Sequence, residues 1–330
     1  MEKKIIRIPQ DAELPLIGLV QIGIIDRGTN LLQLRPTTIC PLSCIFCSVD
    51  AGPNSKYHFT EYVVKLDYFL DWLKEVMKFK GKIHAFIDSV GDPLTYPKIV
   101  DLVQAIKELR VESLALETSG YLLNENLVDE LAEIGLERLN ISIHALDEEL
   151  AKKLAGCEAY QVERIIEIIR YIAESQIELL VTPVWIPGLN DDEIPTIIEL
   201  IKKINRNKRW PFLGIQKYEE HKFGRKPRGV KAISWWKFHQ KIREWEKEFN
   251  LKLTISSKDF GIEKRVSLPL VFERGEKIKV RIAAEGWMKN EMIGIAKDRS
   301  ITLVDCRAKI GDEIRAKILR TKDNIYIARS

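Results

Sequence analysis

Long apolar runs are missing from this chain. Its most hydrophobic stretches, IELLVTPVWI and LIGLVQIGII, stop at ten residues, about half of the ~20 that a bilayer-spanning helix needs. The first residues, MEKKIIRIPQDAELP, lack the apolar core of a secretory signal. Cysteine is scarce, five in 330 residues, which is too few for a disulfide framework. Charge of one sign is also lacking: 52 Lys and Arg against 48 Asp and Glu leave +4, which by itself argues for no partner. No internal repeat or low-complexity tract appears. A membrane-spanning, secreted, fibrous or disordered chain is thereby excluded, and a cytoplasmic globular protein is expected. What is present, 45% hydrophobic and 30% charged residues, is enough for one large core or two unequal ones.

From about residue 60 to 256, short β-branched runs alternate with amphipathic stretches, the pattern of a parallel sheet with crossover helices. The runs are LLQLRPT, HAFIDSV, SLALETS, RLNISI, IELLVTPVWI and FLGIQKY, with LKLTIS as a seventh. Helices are predicted over 61–79, 97–110, 124–134, 160–175, 191–205 and 234–249. Six or seven such units predict an α/β fold, a partial (β/α)6 barrel of TIM type, whose chemistry sits at the C-terminal ends of the strands. Past about residue 262 only short strands and charged Gly turns remain, which predicts a small all-β, OB-like barrel. The expected divisions are an N-terminal extension (1–30) of unassigned role, a partial barrel (31–258) and a β-barrel (262–330).

The small net charge hides an uneven distribution. Residues 202–231 carry 11 basic and 2 acidic side chains, and residues 262–330 carry 16 and 10. The remainder is acidic. Solvated surface explains this as readily as an anionic polymer does, but a basic loop together with a small basic barrel points toward nucleic acid.

Cys40, Cys44 and Cys47 lie within eight residues in TTICPLSCIFCSVD, directly after the first barrel strand. Three thiolates on one loop converge on a soft metal centre. A zinc site needs a fourth ligand, for which His58 is nearest in sequence; an iron-sulfur cluster can leave one iron open to a small molecule.

The C-x3-C-x2-C spacing, with aromatic Phe46 before the third cysteine, resembles the radical S-adenosylmethionine (radical SAM) superfamily over about residues 31–256. The resemblance implies a [4Fe-4S] cluster on Cys40, Cys44 and Cys47, SAM chelated at the open iron, and reductive formation of a 5′-deoxyadenosyl radical. DSVGDPLTYP is similar to the family's glycine-glycine-glutamate-proline turn, with Val90, Gly91, Asp92 and Pro93 in its positions, Val and Asp being departures. The structural reading of the same residues is a helix start with Pro at its first position. Glu117, Thr118 and Ser119 match the mouth of the third strand, and Ser142 and His144 the ribose-contacting strand. Asn140, Ser142 and His144 share one face by alternation. Ile186 and Gly188 match the adenine-contacting strand, with Asn190 closing its loop. Ile215, Gln216 and Tyr218 match positions that read the adenine edge. Cys157 and Cys306 are read as buried apolar cysteines rather than a methyl-carrying pair.

Residues 262–330 resemble the TRAM domain, a small RNA-binding barrel, with Arg315, Lys317 and Lys322 outward and Ile314, Ile318 and Ile325 inward. Lys217, Lys222, Arg225, Lys226 and Arg228 would extend a basic path, and Trp235 and Trp236 are candidates for base stacking. The resemblance implies modification of a nucleotide in RNA, tRNA before rRNA, by methylation or base rearrangement, with an electron donor such as a ferredoxin. Methylthiolation is disfavoured because no cysteine precedes Cys40. A protein or small-metabolite substrate, and an RNA-binding protein with a structural metal, are the alternatives.

Overall fold

A computed structural model describes residues 3–330. The chain divides into two compact units, one holding residues up to Ile39, Lys56–Leu114 and Ile262–Ser330, the other Cys40–Ser55 and Ala115–Gly261.

In the first unit, β1 (Lys4–Ile8), β2 (Gly23–Asp26), β3 (Leu31–Arg35) and β4 (Thr60–Val64) precede α1 (Leu66–Lys80), β5 (His84–Ile87) and α2 (Ile99–Glu108). β3 pairs antiparallel with β2 and parallel with β5. The helix predicted from 61 begins only at Leu66. TEYVV is β-branched and aromatic, is buried along its whole length, and pairs with β1 in parallel.

The second unit repeats the βα rhythm. β6 (Ser113–Thr118), most of which lies here, is followed by α3 (Glu125–Glu133), β7 (Arg138–Ile141), α4 (Glu148–Ala155), α5 (Val162–Glu174) and β8 (Glu178–Val181). Then come β9 (Val184–Trp185), α6 (Glu193–Ile204), β10 (Gln216–Lys217) and α7 (Trp235–Phe249). β6, β7 and β8 run parallel, so their C-terminal ends share one edge. Helix α4 was not expected, although Asp147 caps its start and left-handed Gly156 its end. The strand expected at LKLTIS does not form. The Glu246 carboxylate accepts the N–H groups of Leu253 and Thr254 at 2.9 and 2.6 Å, which offers that backbone a partner other than a sheet.

The C-terminal part of the first unit is a closed five-stranded barrel, made of β11 (Lys277–Glu285), β12 (Met292–Ala296), β13 (Arg299–Val304), β14 (Glu313–Arg320) and β15 (Ile327–Arg329), in the order β11-β12-β13-β15-β14. Strict alternation along β11 sends Ile278, Val280 and Ile282 inward against Ile301, Leu303, Ile318 and Tyr326. Closure leaves no sheet edge. Residues 15–30, which had no assigned role, form the seat of this barrel. Ser300 N–H donates to the Ile17 carbonyl at 2.9 Å and Tyr326 N–H to that of Gly18 at 2.9 Å. A Cβ on Gly18 would lie 1.9 Å from the Ser300 carbonyl oxygen. Asp26 and Lys80 form a fully buried ion pair at 2.9 Å; Asp26 also accepts from Leu268 N–H, and Lys80 donates to the Val266 carbonyl. Among the described residues no helix is long and apolar enough to cross a membrane.

Candidate functional site

Residues 40–55 contain no helix or strand, yet the loop is fixed at many points within its unit. Ser43 and Ile45 donate backbone N–H to the last carbonyls of α4, Ala155 and Leu154, both at 3.0 Å. Two glycines permit close approach: a Cβ on Gly52 would lie 1.7 Å from the Leu42 carbonyl oxygen, and one on Gly156 2.2 Å from that of Ser43. From the opposite side comes Arg225. Its Nε meets the buried Asp50 carboxylate at 2.7 Å, its guanidinium donates to the carbonyls of Cys44 and Ala51, and its N–H donates to the Cys47 carbonyl at 2.8 Å. Arg225 had been read as part of an RNA path; the structure makes it the strut of the cysteine loop instead. No sequence signal marked this role: the acid it pairs with, Asp50, stands three residues past Cys47, far away along the chain.

The strand ends of this unit face the loop. Cys44, Leu42, Ser119, Ser142, His144 and Tyr160 line one small cleft. Phe46 meets the His144 ring edge-on, with centroids 4.7 Å apart. His144 Nδ1 accepts the Val184 N–H at 3.0 Å, so the neutral ring carries its proton on Nε2. Burial pushes the pKa of His144 down from 6.5 to about 4. Its carbonyl is held by Asn190, whose amide also reaches the Val184 carbonyl and whose oxygen accepts the Ile186 N–H. Ser142 shares a hydrogen bond with Thr182 at 3.0 Å. Gly188 turns with φ 81° and donates to Asp191. Ile186 is fully buried, so a ligand meets this turn through the backbone rather than through that side chain. Glu117 is half-buried beside Asn140 in register, and Gln216 is exposed at the start of β10.

In the other unit, Gly91, Asp92 and Pro93 form the turn after β5. A Cβ on Gly91 would lie 2.2 Å from the Ile39 carbonyl oxygen, and Asp92 N–H donates to that same oxygen at 2.8 Å. The turn therefore grips the residue preceding Cys40. The Asp92 carboxylate, at the glutamate position of the family's turn, is buried and caps the short helical turn Pro93–Thr95 by accepting from Leu94 N–H at 3.0 Å. His58, the alternative zinc ligand, is buried and stacked on Trp287 with centroids 3.6 Å apart.

A family model for the radical SAM superfamily matches residues 34–201. The chain belongs to that superfamily. An uncharacterized protein of Methanocaldococcus jannaschii is 39% identical over 96% of this chain and 78% of its own length. A probable GTP 3′,8-cyclase of Saccharolobus islandicus is 27% identical over 92% of this chain and 96% of its own length. SuiB of Streptococcus suis, solved with S-adenosylmethionine, has a TM-score of 0.53 at 18% identity, covering 68% of this chain; the chain spans about half of SuiB, 49%. That likeness shows the shared fold.

As a radical SAM protein it works with a [4Fe-4S] cluster and SAM. Each thiolate of such a cluster holds its own iron, so the sulfurs need not surround a single point. Among the described residues no three His, Cys, Asp or Glu side chains are grouped as a single-ion site. None of the cysteines is in a disulfide, Cys44 opens on the cleft, and Ala51 N–H donates to Cys47 Sγ at 3.4 Å. The residues present fit the cluster. Cys306 is buried in the barrel core, while Cys157 is half-buried just past α4.

The remaining basic candidates part company. Lys222, Lys226 and Arg228 are exposed, Lys226 near Glu220 at 3.5 Å. The Lys217 side chain is only 6% exposed, held by Glu219 at 3.3 Å and by the Trp235 ring. Arg315, Lys317 and Lys322 are all exposed on the barrel.

Proposed function

We propose that this radical SAM enzyme modifies a nucleotide within structured RNA, tRNA before rRNA, and that its C-terminal barrel is a TRAM-like domain that holds the RNA backbone. Cys40, Cys44 and Cys47 would hold the cluster, which would supply the electron for reductive cleavage of SAM and so the radical chemistry at the substrate. The chain's own part is to hold the cysteine loop by Arg225 and Gly91, to offer the Nε2–H of a neutral His144, and to bring the nucleotide out of its stack.

One observation carries the RNA reading. On the outer face of the barrel, Lys277 stands directly opposite Lys317, Lys279 opposite Arg315, and Lys317 again opposite Arg329. Like charges placed opposite each other weaken a sheet, and among the described residues only Arg329 of these five has an ion pair, with Asp305 at 3.2 Å. Such a row becomes favourable when a line of phosphates lies along it. A reduced ferredoxin-like donor and a cytoplasmic site complete the reading.

Similarity to a probable GTP 3′,8-cyclase favours a second reading, in which the substrate is a free purine nucleotide. Nucleoside mass spectrometry of tRNA and rRNA from cells lacking the gene separates the two. One modified nucleoside should disappear. Unchanged nucleoside profiles, with reductive SAM cleavage stimulated by GTP alone, would overturn the RNA reading.

A further inference from the structure

Helix α7 opens with two tryptophans that folding leaves uncovered. Trp235 is 55% exposed and Trp236 is 67% exposed, whereas Trp185, Trp210, Trp245 and Trp287 are at most 8% exposed. Ser234 caps the helix by accepting from Lys237 N–H, so the backbone beneath both rings is fixed. Trp235 is anchored from below: its ring meets buried Phe238 edge-on at 5.7 Å, lies near-parallel to His239 at 5.7 Å, and has Lys217 Nζ 5.0 Å from its centroid. Phe238 in turn stacks on Trp185, whose indole N–H is held by Asp191 at 2.7 Å. Trp236, one residue on and about 100° round the helix, has no core role. Two large aromatic surfaces thus stand side by side on a capped helix start without being buried, the first of them held by its neighbours.

The surroundings say what would cover them. Lys231 and Lys237 flank the pair and are exposed, and Lys222, Lys226 and Arg228 lie on the connecting segment. Residues 202–231 carry 11 basic side chains against 2 acidic ones. Flat rings edged with cations fit unpaired bases on a phosphate chain, because every base has a π-face and every linkage a negative charge. A lipid surface fits less well: the apolar stripe of α7, Phe238, Ile242 and Trp245, is already buried, so no continuous apolar face is offered. The location also suits a substrate site. Lys217, against Trp235, directly follows Gln216 at the strand end, and Arg225, on the same connection, clamps the cysteine loop.

We propose that Trp235 and Trp236 form a stacking platform for unpaired bases of the RNA substrate. This rests on the RNA reading above and adds the surface that recognises a base rather than a phosphate. The platform should bind single strands, while the barrel row binds backbone in any paired state.

The test uses the full-length, cluster-loaded protein with a fluorescent oligoadenylate, the same strand made abasic, and its blunt duplex. Trp236→Ala should weaken the intact single strand by about tenfold, leave the abasic strand and duplex unchanged, and keep the wild-type melting temperature. Trp236→Phe should restore most of the loss. Trp235→Leu should behave like Trp236→Ala; if it proves unstable, the Trp236 pair alone decides. Variants that bind the intact strand as tightly as wild type overturn the platform and leave the RNA reading standing. A wild-type protein that binds none of the three RNAs overturns both. A tryptophan blue shift with anionic vesicles, absent with RNA, also overturns the platform, in favour of a membrane contact.

Discussion

Around the cysteine loop and along the outer face of the barrel, this protein uses positive charge in opposite ways. Arg225 is 15% exposed, and its fork is spent on the Asp50 carboxylate and on the carbonyls of Cys44 and Ala51. Arg315 is exposed and faces Lys279 across the ladder, with no ion pair to any described residue. One guanidinium has every reason to stay where it is. The other stands in a row that folding alone does not favour. Buried charge of the first sort organises a loop, because removing one partner strands the other in a poorly solvated place. Exposed like charge of the second sort is a cost to the fold that salt screens in part and a polyanionic ligand relieves further.

The largest test of this contrast lies at the metal. Alanine at Cys40, Cys44 or Cys47 should abolish the visible absorbance of the reconstituted cluster and all SAM cleavage. Next is the strut. Arg225→Gln leaves the Asp50 carboxylate, 1% exposed, without its cation, and should cost about 3 kcal/mol in denaturant melts of the apoprotein; adding Asp50→Asn should recover part of that loss.

A smaller effect concerns protons. The pKa of His144 is lowered from 6.5 to about 4 by burial, so between these values the unfolded chain takes up the proton that the folded chain refuses. Its contribution is whole above pH 6.5 and shrinks as pH falls toward 4. The fall in melting temperature between neutral and mildly acidic buffer should therefore be shallower in His144→Gln than in wild type.

The smallest effect has the most telling sign. Lys279→Glu places an acid opposite Arg315. It should raise stability by about 0.5 kcal/mol, while weakening RNA binding and lowering the slope of log affinity against log salt by about 1. An acid that stabilises the fold and leaves RNA binding intact would break the comparison.

The cysteine triplet, the order of strands and helices and the barrel's alternation were all legible because each is a spacing. What could not be read was which way a side chain turns in a segment without period. Arg225 sits among Lys, Gly and Pro in HKFGRKPRG, where nothing in the pattern separates a buried arginine from its solvated neighbours. Asp92 matches a family position, yet its carboxylate closes a local turn, the alternative that Pro93 had advertised. TEYVV was absorbed into the helix after it because its partner strand, Lys4–Ile8, lies more than fifty residues earlier.

The seat of the barrel has a consequence for how the chain is made. Asp26, Ile17 and Gly18 leave the ribosome at least 242 residues ahead of their partners, Leu268, Ser300 and Tyr326. Leu16, Ile17, Leu19 and Ile22, all nearly inaccessible in the finished fold, must wait until those partners have been made. Closing so long a loop is slow, and exposed apolar segments aggregate while they wait. The long separation of the barrel from its seat thus leaves a vulnerable interval in synthesis.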